Sequence, residues 1–184
     1  MYTCRISVHE LVETSYLQGS ITSQGMSAQR AQIGSRIHRM LQSQRPKEYR
    51  SEVFFRHETK LDDITIVVEG RADGILETDD QIIIEEIKST LIPYEQIDDS
   101  VFVHFAQCYV YAYFYLQQHA DIALITARLT YCQAESEQIK TFDRQLNREE
   151  LETFYKELIE NYRKWAYPGQ DDRQSCAFSF SLLS

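Results

Sequence analysis

The sequence predicts an α/β fold, a central mixed sheet flanked by helices, and three observations predict it. Apolar residues recur at helical spacing towards both ends of the chain, and between them the period shortens to that of strands. The chain has 184 residues, 43% of them hydrophobic, enough to bury one sizeable core. Patterned sequence stops near Gly169, so the expectation is a single domain over residues 1–169 and a tail or linker over 170–184.

In chain order, a first helix is expected over Ser7–Gln18, with Ser7 as cap, Glu10 closing a capping box and Gly19 as stop. Val8, Leu11, Val12 and Tyr16 form its apolar stripe. A second helix is expected from about Ser27 to Ser43, where Ile33, Ile37, Met40 and Leu41 share a face and Pro46 ends the run. Strands follow at Val53–Phe55, Ile64–Glu69, Ala72–Glu77 and Gln81–Lys88, with Gly70 read as a break. Thr78-Asp79-Asp80 suits a tight hairpin, which puts Asp73 and Glu86 on adjacent antiparallel strands. Ile82-Ile83-Ile84 is apolar on both faces, as in a strand covered on both sides. An aromatic-rich helix is expected over Val101–His119 and a further strand over Ile122–Tyr131. Asn147 and Glu150 then open a last helix whose stripe runs Leu151, Phe154, Tyr155, Leu158, Ile159, Tyr162 and Trp165, stopping at Pro168-Gly169.

Composition narrows the function classes. No apolar run approaches the roughly 18 residues needed to cross a bilayer, and Met1–Glu10 lacks the apolar stretch of a secretory signal. A cytoplasmic protein without a membrane partner is expected. Cys4, Cys108, Cys132 and Cys176 contain no CxxC pair, which disfavours a zinc ribbon or redox motif. The net charge is −9, yet it is unevenly spread. Ala28–Arg50 holds six basic residues, Arg30, Arg36, Arg39, Arg45, Lys47 and Arg50, against Glu48 alone, a net +5. Asp62–Asp99 holds twelve acidic residues against Arg71 and Lys88, a net −10. One segment could meet phosphates while the other gathers metal ions, although such runs are also common as solvated faces.

The chemistry centres on Asp73 and on Glu86-Ile87-Lys88. Alternation along a strand sends Glu86 and Lys88 to one face and Glu85 and Ile87 to the other. Small Ala72 and Gly74 would let Asp73 approach the same point. Two carboxylates with open positions suit Mg²⁺ or Mn²⁺, hard ions that keep waters for a phosphate substrate. Alone, a Glu-x-Lys pair is the pattern of an ordinary salt bridge. Here it stands among others: Gly34-Ser35-Arg36-Ile37-His38 precedes it, and Gln107 and Tyr111, four apart on one helix face, follow it.

Asp73 ahead of Glu86-x-Lys88 on a hairpin, between helices, resembles the PD-(D/E)xK nuclease core, with its restriction-endonuclease-like sheet. The Gly34–His38 and Gln107–Tyr111 strings resemble the GxxxH and QxxxY motifs of its RecB-like exonuclease branch. The resemblance implies Asp73, Glu86 and Lys88 as catalytic residues and a metal held by His38, Asp73, Glu86 and the Ile87 carbonyl. It also implies that Gln107 and Tyr111 line the site, contacting DNA or orienting catalytic groups. Arg36 and Arg39, close to His38, are candidate phosphate contacts.

Ser7–Glu13, with the Gly34-Ser35-Arg36-Ile37-His38 and Ile84–Thr90 strings, is similar to the nuclease domain that precedes XPD/DinG-type helicases. No GxxxxGK[ST] loop occurs in this sequence, so the chain itself carries no such motor. Some relatives hold an iron–sulfur cluster on one early and three clustered late cysteines. Cys4 fits the early position, but the late spacing is missing, and no cluster is expected. The expected activity is Mg²⁺- or Mn²⁺-dependent hydrolysis of DNA in repair or recombination, beside a helicase. The competing expectation is a catalytically weak or inactive DNA-positioning module in such a system.

Overall fold

The computed structural model of the protein describes residues 2–16, 28–62 and 64–167. In chain order these form β1 (Tyr2–Ser7), α1 (Val8–Tyr16), α2 (Ala28–Ser43), β2 (Tyr49–Lys60), β3 (Ile64–Glu77), β4 (Ile82–Thr90), α3 (Phe102–Gln118), β5 (Leu124–Gln133), β6 (Ile139–Asn147) and α4 (Arg148–Ala166). Six strands make one mixed sheet with helices on both faces, which is the fold class expected from the sequence.

The long strand β3 organises the sheet. One edge pairs antiparallel with β2 from Thr65 to Leu76. The other edge is divided: β1 runs parallel to Ile64–Glu69, and β4 runs antiparallel to Gly74–Glu77. After the Gly74–Glu85 pair β4 leaves β3 and continues parallel to β5 as far as Thr90. Between the end of β1 and the start of the β4 pairing, residues 70–73 therefore face an open notch.

Each face of the sheet is covered by a distinct set of apolar residues. On one side α1, α3 and α4 pack together over the main core, which includes Leu11, Val12, Phe105, Phe114, Leu151 and Leu158 with strand residues Ile66, Val68, Ile84 and Leu129. On the other side α2 lays Ile37 and Leu41 onto Ile87 and Cys132. The 3.6-residue stripe read from the sequence of α2 is thus the stripe that docks.

The capping signals hold where they are described. The Glu10 amide donates to Ser7 Oγ at 3.1 Å, and Asn147 with Glu150 forms a complete capping box at the start of α4. The expected end of the first helix at Gln18 and its Gly19 stop lie outside the described residues, as does the tail from Gln170 to Ser184.

Two expectations are corrected, at Gly70 and Trp165, and two strands, β1 and β6, stand where none was predicted. Tyr2–Ser7 is a strand, β1. Gly70 is not a break: β3 continues through it, and the position is glycine because a Cβ there would stand 2.5 Å from the Tyr111 hydroxyl and 3.2 Å from Val8 Cγ2. Glycine here permits close approach of α3. Strand β6 was not expected, since its residues alternate only between exposed and half-buried and lack an apolar face. Trp165 is exposed rather than part of the α4 stripe.

Candidate active site

Period-two alternation along β3 slips at Asp73. Ala72 and Ile75, three residues apart, both belong to the main core. Gly74 lies instead against Tyr49, whose ring occupies the space a side chain would need. The slip coincides with a gap in the β2–β3 ladder: Ser51 pairs with Gly74 and Val53 with Ala72, while Glu52 and Asp73 between them do not pair. Glu52 has φ 54°, the left-handed region that non-glycine residues seldom adopt. The small size of Gly74 therefore serves Tyr49, and it is the ladder gap and the notch that release Asp73.

Asp73 fills the notch. Its Oδ2 accepts the Ile87 amide at 2.6 Å, replacing the ladder bond lost where β4 departs. Its Oδ1 lies 3.2 Å from His38 Nδ1. Gln42, one turn beyond His38 on α2, donates from Nε2 to the Asp73 carbonyl at 2.9 Å and to Glu52 Oε1 at 3.0 Å. Burial lowers the affinity of His38 for a proton, but the Asp73 hydrogen bond and the Asp73 and Glu86 charges outweigh it, so its pKa rises above the usual value.

Glu86 and Lys88 share the face towards α3, as alternation predicts. Lys88 Nζ donates to Glu86 Oε1 at 2.7 Å and to Gln107 Oε1 at 2.8 Å. Glu86 is buried, and desolvation drives its pKa up despite the Lys88 charge beside it. For Lys88, burial is the largest influence and acts downward, but the Glu86 charge and hydrogen bond reverse it and the net shift is upward. Gln107 is only 5% exposed, so its polar group in the aromatic helix α3 is accounted for by Lys88. Tyr111, 6% exposed, lies over Gly70 with its hydroxyl against the Arg71 backbone. Burial, then the Glu86 and Asp73 charges, raises its pKa.

Glu85 on the opposite face is clamped. It takes hydrogen bonds from Arg45, from the Tyr49 hydroxyl at 2.7 Å and from Thr130 Oγ1 at 2.5 Å. His38, Gln42 and Arg45 follow the i, i+4, i+7 spacing of one helical face continued just past the end of α2; His38 and Gln42 reach Asp73 in the notch, and Arg45 reaches Glu85 beside it. Arg36 pairs with Glu137 at 2.7 Å, and Arg39 Nε donates to the Ser35 carbonyl at 3.3 Å, both on the exposed side of α2.

Of the residues expected at a site, His38, Asp73, Glu86, Ile87, Lys88 and Gln107 stand together here and Tyr111 packs beside them, while Arg36 and Arg39 lie on the outer side of α2. Glu52, Gln42 and the Arg45–Tyr49–Thr130 clamp carry no motif that marks them in the sequence. Glu52 stands in a strand between polar Ser51 and apolar Val53, and only the β2–β3 register brings it to Asp73. The ligand-capable atoms of His38, Glu52 and Asp73 lie within 4.8 Å of one another. Imidazole plus carboxylate oxygens is a donor set that fits a divalent cation such as Mn²⁺ or Mg²⁺.

The site is thus an acidic centre set where the central strands part, with Asp73 on β3 and Glu86-Ile87-Lys88 on the departing strand β4. The chain belongs to the PD-(D/E)XK nuclease superfamily, whose family model matches residues 7–180. Among solved structures it is similar to the crystal structure of SSO0001, with a TM-score of 0.56 and 20% identity over 85% of this chain and 75% of that one. At that identity the likeness concerns the fold. No curated protein matches the sequence significantly. Among the described residues, no helix is long and apolar enough to cross a membrane.

Proposed function

We propose that this protein is a divalent-metal-dependent deoxyribonuclease of the RecB-like branch, acting on DNA in repair or recombination beside an XPD/DinG-type helicase. The observation that carries the reading is the convergence of Asp73, Glu86, Lys88 and His38 on the notch where β3 and β4 part. The GxxxH and QxxxY strings, which flank the core motif in the sequence, supply His38 and Gln107 to that same notch and so support the branch.

Asp73, Glu86, His38 and the Ile87 carbonyl would hold Mg²⁺ or Mn²⁺, which when bound polarises the phosphodiester and makes the attacking water more acidic. Lys88 points its ammonium into the site from a fixed position. It can orient the nucleophilic water and offset the charge that builds on the phosphate oxygens. Gln107 holds Lys88 from behind, and Tyr111 packs α3 against β3 so that Gln107 stays in reach. The Ile87 amide fixes Asp73, whose second oxygen stays turned towards His38. Arg36, on exchanging its Glu137 partner, and Arg39 would meet backbone phosphates flanking the scissile bond from the exposed side of α2.

The test uses purified protein with end-labelled single-stranded DNA, double-stranded DNA and matching RNA, in Mn²⁺, in Mg²⁺ and in EDTA. The expected result is metal-dependent cleavage of DNA, with products shortening from an end. Stable DNA binding without cleavage in either metal would instead favour a DNA-positioning module.

A further inference from the structure

Where β2 and β3 run past Asp73, the sheet turns an aromatic ring to solvent. Alternation sends Val53 and Phe55 inward to the main core and Phe54 outward, where it is 54% exposed. Its cross-strand partner is Arg71, whose Cζ stands 5.8 Å from the centre of the Phe54 ring. Both lie on the face of the sheet that carries α2, but α2 docks on Ile87 and Cys132 of β4 and β5 and leaves Phe54 open. Phe54 is two residues from Glu52 along β2, and Arg71 is two from Asp73 along β3. Two residues of strand span roughly 7 Å, so the ring lies beside the notch, within reach of a nucleotide next to one held there.

The charges around the ring favour a polyanion. Arg5, Arg56, Lys60 and Arg71 are exposed on this side of β1, β2 and β3 against Glu58 and Glu69, a net +2 in a chain whose net charge is −9. Arg56 is engaged by Glu58 at 2.9 Å. Arg71 makes no ion pair among the described residues: its Nη1 donates to the Glu52 carbonyl at 3.3 Å, a neutral acceptor that positions the guanidinium and leaves its charge in place. A positioned cation beside an exposed aromatic face matches one nucleotide of a single strand, phosphate on Arg71 and base on Phe54. In a duplex the bases are stacked on one another. An unpaired strand can turn a base face to a protein ring.

We infer that Phe54 is a stacking platform for a base of single-stranded DNA beside the scissile phosphate, with Arg71 contacting the phosphate of that nucleotide. The inference rests on the nuclease reading above and adds the form of its substrate, an unpaired strand at the site.

Fluorescence anisotropy tests this with labelled oligothymidylate and an all-abasic oligomer of the same length, in Ca²⁺ in place of Mn²⁺. The proteins are wild type, Phe54→Ala, Phe54→Trp and Arg71→Gln, each checked by thermal melting. The readout is the preference for the base-bearing strand, which a purely structural role for Phe54 would not move. Phe54→Ala should lower that preference about tenfold, the scale of one lost base stack, and Phe54→Trp should keep it. Arg71→Gln should weaken binding of both oligomers alike and flatten its dependence on salt. A wild-type preference retained by Phe54→Ala would overturn the platform while leaving the nuclease reading standing. So would a wild-type protein that cleaves duplex DNA in Mn²⁺ yet binds neither oligomer. A wild-type protein that binds neither oligomer and cleaves no DNA would overturn both.

Discussion

Gln107 of α3 accepts a hydrogen bond from the Lys88 ammonium of β4 at 2.8 Å, across the boundary between the main core and the candidate active site. Gln107 is buried, so the bond is shielded from competing water. It links a helix that otherwise packs aromatic residues to the one cation at the end of the Glu86-Ile87-Lys88 strand.

Replacing Gln107 by Leu keeps the volume roughly constant but leaves the ammonium with Glu86 alone. The expected effect is a fall in kcat of about 10–100-fold, the usual cost of losing a group that orients a site residue, with KM for DNA little changed. Steady-state cleavage of a labelled duplex measures the two separately. A loss confined to KM would mean that Gln107 contacts the substrate instead.

The Glu85 clamp makes a stability prediction. Glu85 is almost fully buried and its ionic partner is Arg45. Arg45→Met would leave a buried carboxylate with two neutral hydroxyl donors, Tyr49 and Thr130, and no counter-charge. Breaking a buried pair on one side costs roughly 3–5 kcal/mol; the part-exposed Arg45 places this case towards the lower figure. Urea unfolding monitored by circular dichroism reads the change. The double replacement Arg45→Met with Glu85→Met should recover part of the loss.

His104 predicts the direction of a pH effect. It hydrogen-bonds the Tyr131 hydroxyl at 2.6 Å, and burial, then the charges of Lys88 and His9, pushes its pKa down to about 4. The unfolded chain would bind a proton near pH 6.5 while the folded one resists it. Stability from this group is therefore complete above about pH 6.5 and is lost as the pH falls towards 4. Melting curves at pH 7 and pH 4.5 should show a smaller acid-induced drop in Tm for His104→Gln than for wild type. Equal drops would show that His104 does not contribute.

Much of this architecture was legible because local signals and tertiary demands agree. The α2 stripe, the Thr78–Asp80 turn and the Asn147–Glu150 capping box each state in sequence what the packing requires. Glu86 could be chosen over Glu85 because β4 keeps strict alternation. The illegible parts depend on register or on one-sided burial. Glu52 meets Asp73 only through the β2–β3 pairing, and the slip at Asp73 leaves no periodic trace. Gly70 resembled a strand break because glycine ends strands more often than it admits a tyrosine hydroxyl. Strand β6 hides because it lacks an apolar face, and β1 because its six residues are mixed in character.

In the proposed reaction Asp73 and Lys88 act together on a metal-activated phosphodiester. The most direct measurement is single-turnover cleavage of labelled DNA in Mn²⁺ by wild type, Asp73→Ala and Lys88→Ala, with folding of each variant verified by circular dichroism. Wild type should cleave and stop in EDTA, and both variants should be slower by on the order of 10²–10⁴-fold. Equal rates in all three proteins would contradict it.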